Sequence, residues 1–194
     1  MELQPYESSF IVFRNAAKSS LKGRNYPEET VLASVDNGWN VTFQEGRGAP
    51  GEAVTFDNLS DWTASDDLRI KYFSGTATYA NSFILESVPG SQVYVDLGKV
   101  MVMAKVKVNG EYAGGVWTAP YRVNVTNFLK EGENTIEVEV VNCWRNRLIG
   151  EKEAIPEADR FTFQTSTYLD KNSELQSSGL LGPVRVLAKD YELL

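Results

Sequence analysis

The segment VMAKVKVNGEY, residues 102–112, decides the fold, because apolar side chains recur in it at every second position. One face of an extended chain is apolar and the other carries two lysines: Val102, Ala104, Val106 and Val108 against Met103, Lys105 and Lys107. A period of two predicts a half-buried β-strand. The strand ends at Asn109-Gly110, a pair that accepts positive φ and predicts a tight hairpin. A return strand is expected over residues 111–117.

The same alternation recurs in other short segments. ENTIEVEVVNC, residues 133–143, turns every second residue inward, and WNVTFQ, residues 39–44, does the same with Trp39 among its core residues. Further predicted strands are residues 9–14, 75–86, 91–98 and 182–189. Helical spacing is weak, with one turn predicted within residues 126–134. Many short strands separated by turn sequences predict an all-β fold, either a sandwich or a barrel.

Composition excludes several function classes. The chain has 194 residues and a net charge of −7, with no long basic cluster, so we expect no nucleic-acid partner. No apolar run approaches the roughly 20 residues that span a bilayer, so we expect no membrane insertion. The first ten residues lack the basic and apolar regions of a signal peptide. The length suits one domain, or one domain with extra strands.

The reactive side chains are few. Histidine is absent, which excludes histidine-dependent triads and histidine metal ligands. Cys143, the single cysteine, ends an apolar strand and is predicted to be a small buried hydrophobe. The carboxylates, including Asp66-Asp67, carry no catalytic signature. We therefore predict no catalytic residue, no metal ligand and no cofactor, and leave open a structural calcium ion held by backbone carbonyls and an aspartate.

Two groups of aromatic and polar residues stand where strands end, which is where sandwiches carry function. The candidate carbohydrate-binding residues are Trp117, Tyr121, Trp144, Arg145, Asn146 and Arg147. Their rings offer apolar faces to a sugar, and the arginines and the asparagine offer hydrogen bonds. The alternative is structural: the arginines bind loop carbonyls while the rings cover the end of the sandwich. The loop-rich residues 150–178 follow directly. Trp39 and Trp62 are expected in the core.

Three long segments resemble one family. They are residues 73–83 (FSGTATYANSF), residues 93–150 (from VYVDLG to NRLIG) and residues 178–186 (SGLLGPVRV). Together they resemble the galactose-binding-like (sugar-binding) β-sandwich of family 2 glycoside hydrolases, and most closely the C-terminal domain of family 106 α-L-rhamnosidases. The likeness extends over about residues 56–189. Glu151 stands where this pattern usually has aspartate, and Phe163 where it has tryptophan.

The resemblance implies a jelly-roll sandwich with little helix. It implies a terminal strand of a preceding region at residues 1–14, connecting strands and loops at 15–55, and the sandwich at 56–194. In such enzymes the catalytic carboxylates lie on a separate barrel, so the chain is expected to be a non-catalytic module of a larger bacterial rhamnosidase-like enzyme, without hydrolase activity of its own. The expected partners are that catalytic domain and carbohydrate, in the periplasm or outside the cell. The rival functions are an autonomous carbohydrate-binding module and a stand-alone glycosidase, which needs a pair of carboxylates in a cleft.

Overall fold

The computed structural model describes Leu3, Tyr6 and residues 8–14, 28–163, 169–170 and 172–190. The strands within these residues are β1 Glu28–Ser34, β2 Trp39–Phe43, β3 Val54–Phe56, β4 Thr76–Leu85, β5 Gln92–Asp96, β6 Lys99–Met101, β7 Met103–Val108, β8 Glu111–Val116, β9 Arg122–Asn124, β10 Gly132–Val141, β11 Gly179–Gly182 and β12 Arg185–Asp190. The helices are α1 Leu68–Lys71 and α2 Arg145–Glu153, with 3-10 turns at Trp62–Ala64, Thr126–Phe128 and Glu157–Asp159. No helix of the described residues is long and apolar enough to cross a lipid bilayer.

The strands form two large sheets and one small one. The first sheet has the order β1-β12-β5-β9, the second has the order β3-β2-β4-β10-β7-β8, and β6 pairs with β11. Neighbouring strands within each sheet run antiparallel. The inward side chains of the two large sheets form one apolar core between them. The predicted all-β sandwich is therefore confirmed.

The hairpin of the opening segment is formed by β7 and β8. Asn109 and Gly110 have φ angles of 52° and 83°, as a two-residue turn of this kind requires. Val106 and Val108 are fully buried, whereas Val102 is exposed. Val102 differs from the prediction because β7 begins only at Met103, so the inward alternation starts after it.

Tyr79 of β4 links the six-stranded sheet to the 3-10 turn at Trp62–Ala64 and to β11 within the core. Its buried hydroxyl accepts a hydrogen bond from Trp62 Nε1 at 2.6 Å and another from the backbone N–H of Leu180 at 3.2 Å. Burial raises the pKa of the Tyr79 phenol, so the group stays protonated. Trp39 and Trp62 are both buried, which confirms their predicted place in the core.

The N-terminal part differs from the sequence prediction in two ways. Residues 9–14, predicted as a strand, have no regular structure, and Phe10 and Phe13 are almost fully exposed. Their assignment to a strand of a preceding region stays a prediction. The described part of residues 15–55, predicted as connecting strands and loops, supplies β1, β2 and the start of β3. Since β1 pairs with β12 and β2 pairs with β4, this region belongs to the same two sheets.

Candidate functional site

The residues after β10 form helix α2, whereas the sequence predicted the start of a long loop. The prediction was wrong because α2 has no amphipathic pattern: its buried residues include Arg147 and Glu151 beside Ile149. Two opposite charges four residues apart lie on one helix face. This spacing was the available signal for the helix.

Helix α2 packs on a second, smaller apolar cluster at the end of the sandwich. Ile149 is fully buried there with Tyr72, Ile155 and Leu169. Gly150 lets the helix lie against Tyr72, because a Cβ atom at this position would stand 2.4 Å from the tyrosine ring. The helix is thereby held by contacts that are separate from the main core.

A buried ion pair within α2 fixes the segment that follows the helix. Arg147 is 2% exposed and Glu151 is 5% exposed, and Arg147 Nε donates to Glu151 Oε1 at 2.8 Å. Arg147 Nη2 donates to the carbonyl of Asp159 at 2.6 Å. Glu151 also accepts hydrogen bonds from the backbone N–H groups of Phe161 and Thr162, at 3.1 and 3.3 Å, and from the Thr162 hydroxyl. The pair therefore ties α2 to residues 159–162.

These contacts set the charge state of Glu151. Burial alone raises the pKa of its carboxyl, but hydrogen bonds from Thr162 and Phe161 and the Arg147 guanidinium outweigh burial. The pKa of Glu151 consequently lies below its usual range. The carboxylate is charged at neutral pH and acts as an acceptor, not as a proton donor.

Asn146 and Arg145 bind a second segment of the chain, residues 174–178. Asn146 is 1% exposed; its Nδ2 donates to the carbonyl of Gln176 at 2.7 Å and to Ser178 Oγ at 3.0 Å, while its Oδ1 accepts from Gln176 N at 2.8 Å. Arg145 Nε donates to the carbonyl of Glu174 at 3.0 Å. The polar atoms of Asn146 are thus used to hold the chain that leads into β11.

An exposed group of rings and a guanidinium lies beside these buried contacts. Arg47, from the loop after β2, places its guanidinium carbon 4.8 Å from the ring centre of Trp144 and 6.0 Å from that of Phe161. Trp144 and Phe161 meet edge to face with their centres 6.1 Å apart. Phe161 also lies over Arg147, at 4.1 Å. Trp144 is 43% exposed, so it contributes to the surface, as Phe161 does.

Trp117 and Tyr121 lie apart from that group. They belong to the connection between β8 and β9, where Trp117 is 74% exposed and Tyr121 packs half-buried against the main core. The strand β8 ends at the same end of the six-stranded sheet as β10, since β7 pairs with both. No hydrogen bond, ion pair or ring contact joins either residue to Trp144 or to α2 in the part of the chain that the structure describes.

A cavity of about 490 Å³ opens beside α2. Its volume lies in the range of small-molecule sites. Its walls combine apolar side chains, two glycines, two arginines and one carboxylate, among them Gly48, Leu68, Arg69, Arg147, Asp159 and Phe161. Gly48 permits the close approach of its loop, because a Cβ atom there would stand 2.6 Å from Arg147 Nη1.

Among the described carboxyl groups with a resolved shift, none has a raised pKa. A general acid in a glycosidase needs a raised pKa. Hydrogen bonds and ion pairs lower the pKa of each described carboxyl group with a resolved shift, namely Glu29, Asp61, Asp67 and Glu151. Among the described residues there is also no cluster of three or more histidine, cysteine, aspartate or glutamate side chains that could hold a metal ion.

Comparison with known families agrees with this architecture. Residues 60–175 match the family model described as glycosyl hydrolase 2 galactose-binding domain-like. The chain belongs to this family. The resemblance drawn from the sequence segments is thereby confirmed, and the end of the sandwich described above is one end of a galactose-binding-like domain.

The relatives of this galactose-binding-like domain are longer proteins. A protein of Formosa agariphila named "Putative beta-glucuronidase" is 37% identical over 84% of this chain and 16% of its own length. The solved rhamnosidase from Novosphingobium sp. PP1Y is 36% identical with a TM-score of 0.81, over 90% of this chain and 16% of its own. The β-glucuronidase of Ruminococcus gnavus shares the fold at 18% identity and a TM-score of 0.57, over 87% of this chain and 29% of its own. The chain thus spans 16% of the length of the first two.

The exposure of Cys143 in this galactose-binding-like domain differs from the prediction. The residue was predicted to be buried, but it is exposed, with Sγ 3.0 Å from Gln176 Oε1. The prediction was wrong because β10 ends at Val141, so the inward alternation of the strand stops before Cys143.

Proposed function

We propose that this domain is a non-catalytic module of a larger bacterial glycoside hydrolase, similar to α-L-rhamnosidases, and that it braces the catalytic domain by packing against it. The burial of Asn146 and Arg147 carries the proposal. Both had been candidates for sugar contacts, yet both are almost fully buried and bonded to the domain itself. They build the end of the sandwich instead of forming an independent sugar site.

Exposed apolar side chains support a partner outside the domain. Phe161, which contacts Trp144, and Phe163 are exposed, and so are Phe10 and Phe13 in the N-terminal segment. Aromatic residues and arginine are enriched at the centres of protein interfaces. Because the relatives are several times longer than this chain, the partner we propose is the catalytic domain of the same enzyme. The periplasm or the cell exterior is the proposed location, by analogy with bacterial glycosidases.

The domain would also contribute side chains to carbohydrate binding. Trp144, Arg145 and Arg47 lie at the surface of the α2 end, where a neighbouring domain would complete a cleft. A site shared in this way binds a free monosaccharide weakly, because half of the contacts are missing. We therefore expect the chain alone to bind monosaccharides with millimolar affinity or not at all.

An autonomous carbohydrate-binding module is the second candidate, and the 74% exposure of Trp117 favours it. Titration calorimetry against plant polysaccharides separates the two functions. The accessory role predicts no micromolar binding by the wild-type chain. Micromolar binding that is lost in Trp117→Ala or Trp144→Ala would instead establish an autonomous module and contradict the accessory role.

A further inference from the structure

The guanidinium of Arg47 is held in place but is not neutralised. It stacks on Trp144 and lies near Phe161, and it makes no ion pair or hydrogen bond with any residue that the structure describes. Stacking on rings orients the planar guanidinium while leaving its N–H edge available, which suits two-point recognition of a carboxylate. The arginine is therefore available to an acceptor other than the residues that the structure describes.

The charges around Arg47 support an anionic group at this point. Arg145, next to Trp144, donates to a backbone carbonyl and has no carboxylate partner among the described residues. By contrast, Arg69, Arg122 and Arg147 are each paired with a carboxylate. In a chain with a net charge of −7, Arg47 over the Trp144 ring and Arg145 next to Trp144 in sequence are two positive charges for which the described residues supply no carboxylate partner.

The adjoining cavity offers room for the rest of such a ligand. Gly46 and Gly48, on either side of Arg47, both line it, and so does Phe161. Arg69 and the acidic residue Asp159 also line it, and Arg69 Nη1 donates to none of the described residues. A guanidinium N–H is only a donor, so it favours ligands rich in oxygen acceptors. Apolar walls beside these donors suit the C–H face and the hydroxyl oxygens of a sugar ring.

We propose that this cavity and Arg47 form a binding site for an acidic sugar of the uronate class. The carboxylate binds the guanidinium of Arg47, and the pyranose ring occupies the cavity against Phe161, with a hydroxyl oxygen accepting from Arg69 and a hydroxyl group donating to Asp159. The inference rests on the proposed contribution of this end of the domain to carbohydrate binding, and it names the class of ligand.

Nuclear magnetic resonance of the isotopically labelled 194-residue chain tests the site, with D-glucuronate and D-galacturonate as probes. We expect saturable shifts at the Arg47 Nε–H and Trp144 Nε1–H signals below about 100 mM ligand, as a millimolar Kd requires. Arg47→Gln removes the charge and should weaken uronate binding about tenfold or more, the usual effect of losing a charge-assisted contact. Arg185→Gln, an exposed arginine on β12 in the other sheet, is the matched control and should bind as the wild type does.

Three outcomes would overturn the inference: no saturable shift with either uronate, equal shifts with D-galactose or L-rhamnose, or equal affinity for acetate, which would show a simple anion site. Equal affinity of Arg47→Gln would also contradict it. None of these results touches the accessory role. That role fails on a different result, micromolar polysaccharide binding or glycoside hydrolysis by the chain alone.

Discussion

The buried pair of α2 gives the sharpest test of how this end of the domain is held. In Glu151→Gln the side chain keeps its shape and loses its charge. Both oxygens of Glu151 accept hydrogen bonds, one from Arg147 Nε and Phe161 N–H and the other from Thr162. A carboxamide has one acceptor and one donor group, so its NH₂ group faces a donor in either orientation.

The expected loss follows from these contacts. Removing one partner of a buried ion pair leaves the other charge uncompensated, which costs about 3–5 kcal/mol. A remaining neutral hydrogen bond to Arg147 offsets part of this loss, so we expect about 3 kcal/mol for Glu151→Gln. The destabilisation should concentrate in α2 and in residues 159–162, because the second apolar cluster is separate from the main core.

Native-state hydrogen exchange measures this loss residue by residue. Amides of α2 should exchange about 100-fold faster in Glu151→Gln, while amides of β4 and β10 should change much less. Lys105→Gln is the matched control, since its ion pair with Glu139 is exposed and longer, at 3.9 Å, and should contribute less than about 1 kcal/mol. Unchanged exchange in α2 of Glu151→Gln would refute the reasoning.

Three further predictions concern the core and pH. Tyr79→Phe leaves the N–H groups of Trp62 and Leu180 without their acceptor and should lower the free energy of unfolding by about 1–3 kcal/mol, measured by urea denaturation; an unchanged urea midpoint would contradict this. Asn134→Ala removes four partly buried hydrogen bonds and should lower the free energy of unfolding by at least about 2 kcal/mol, measured as a lower thermal midpoint; an unchanged midpoint would show that these hydrogen bonds do not stabilise the domain. Because the pKa of Glu151 is lowered in the folded state, its contribution is present above the unfolded value of about 4.3 and is lost as pH falls through the folded value. The stability gap between wild type and Glu151→Gln should therefore narrow on acidification, and a gap that is constant down to pH 2 would exclude this linkage.

The strands of the fold were predictable because their signal is local. In β2, β7 and β10 the alternation of apolar and polar residues matches the buried and exposed faces. The hairpin turn after Val108 was equally predictable from the sequence, since Asn109-Gly110 accepts the positive φ angles of this turn. Patterns of this kind depend only on neighbours along the chain.

The structure of the α2 end could not be predicted in the same way, because its contacts join segments that are distant in sequence. Arg47 after β2 meets Trp144 after β10 although β4 lies between the two strands, and Arg147 donates to the carbonyl of Asp159, twelve residues further along the chain. Charged residues in a short helix are normally assigned to the surface. The sequence singled out Trp144 to Arg147 as candidates, while their division into exposed and buried members required the three-dimensional structure.

The central claim is that this galactose-binding-like domain carries no glycosidase chemistry of its own. The most direct measurement is hydrolysis of aryl α-L-rhamnoside, β-D-glucuronide and β-D-galactoside by the purified 194-residue chain. The account predicts no release above the enzyme-free blank with any of the three. Release that rises in proportion to the chain and co-elutes with it through successive purification steps would contradict the account.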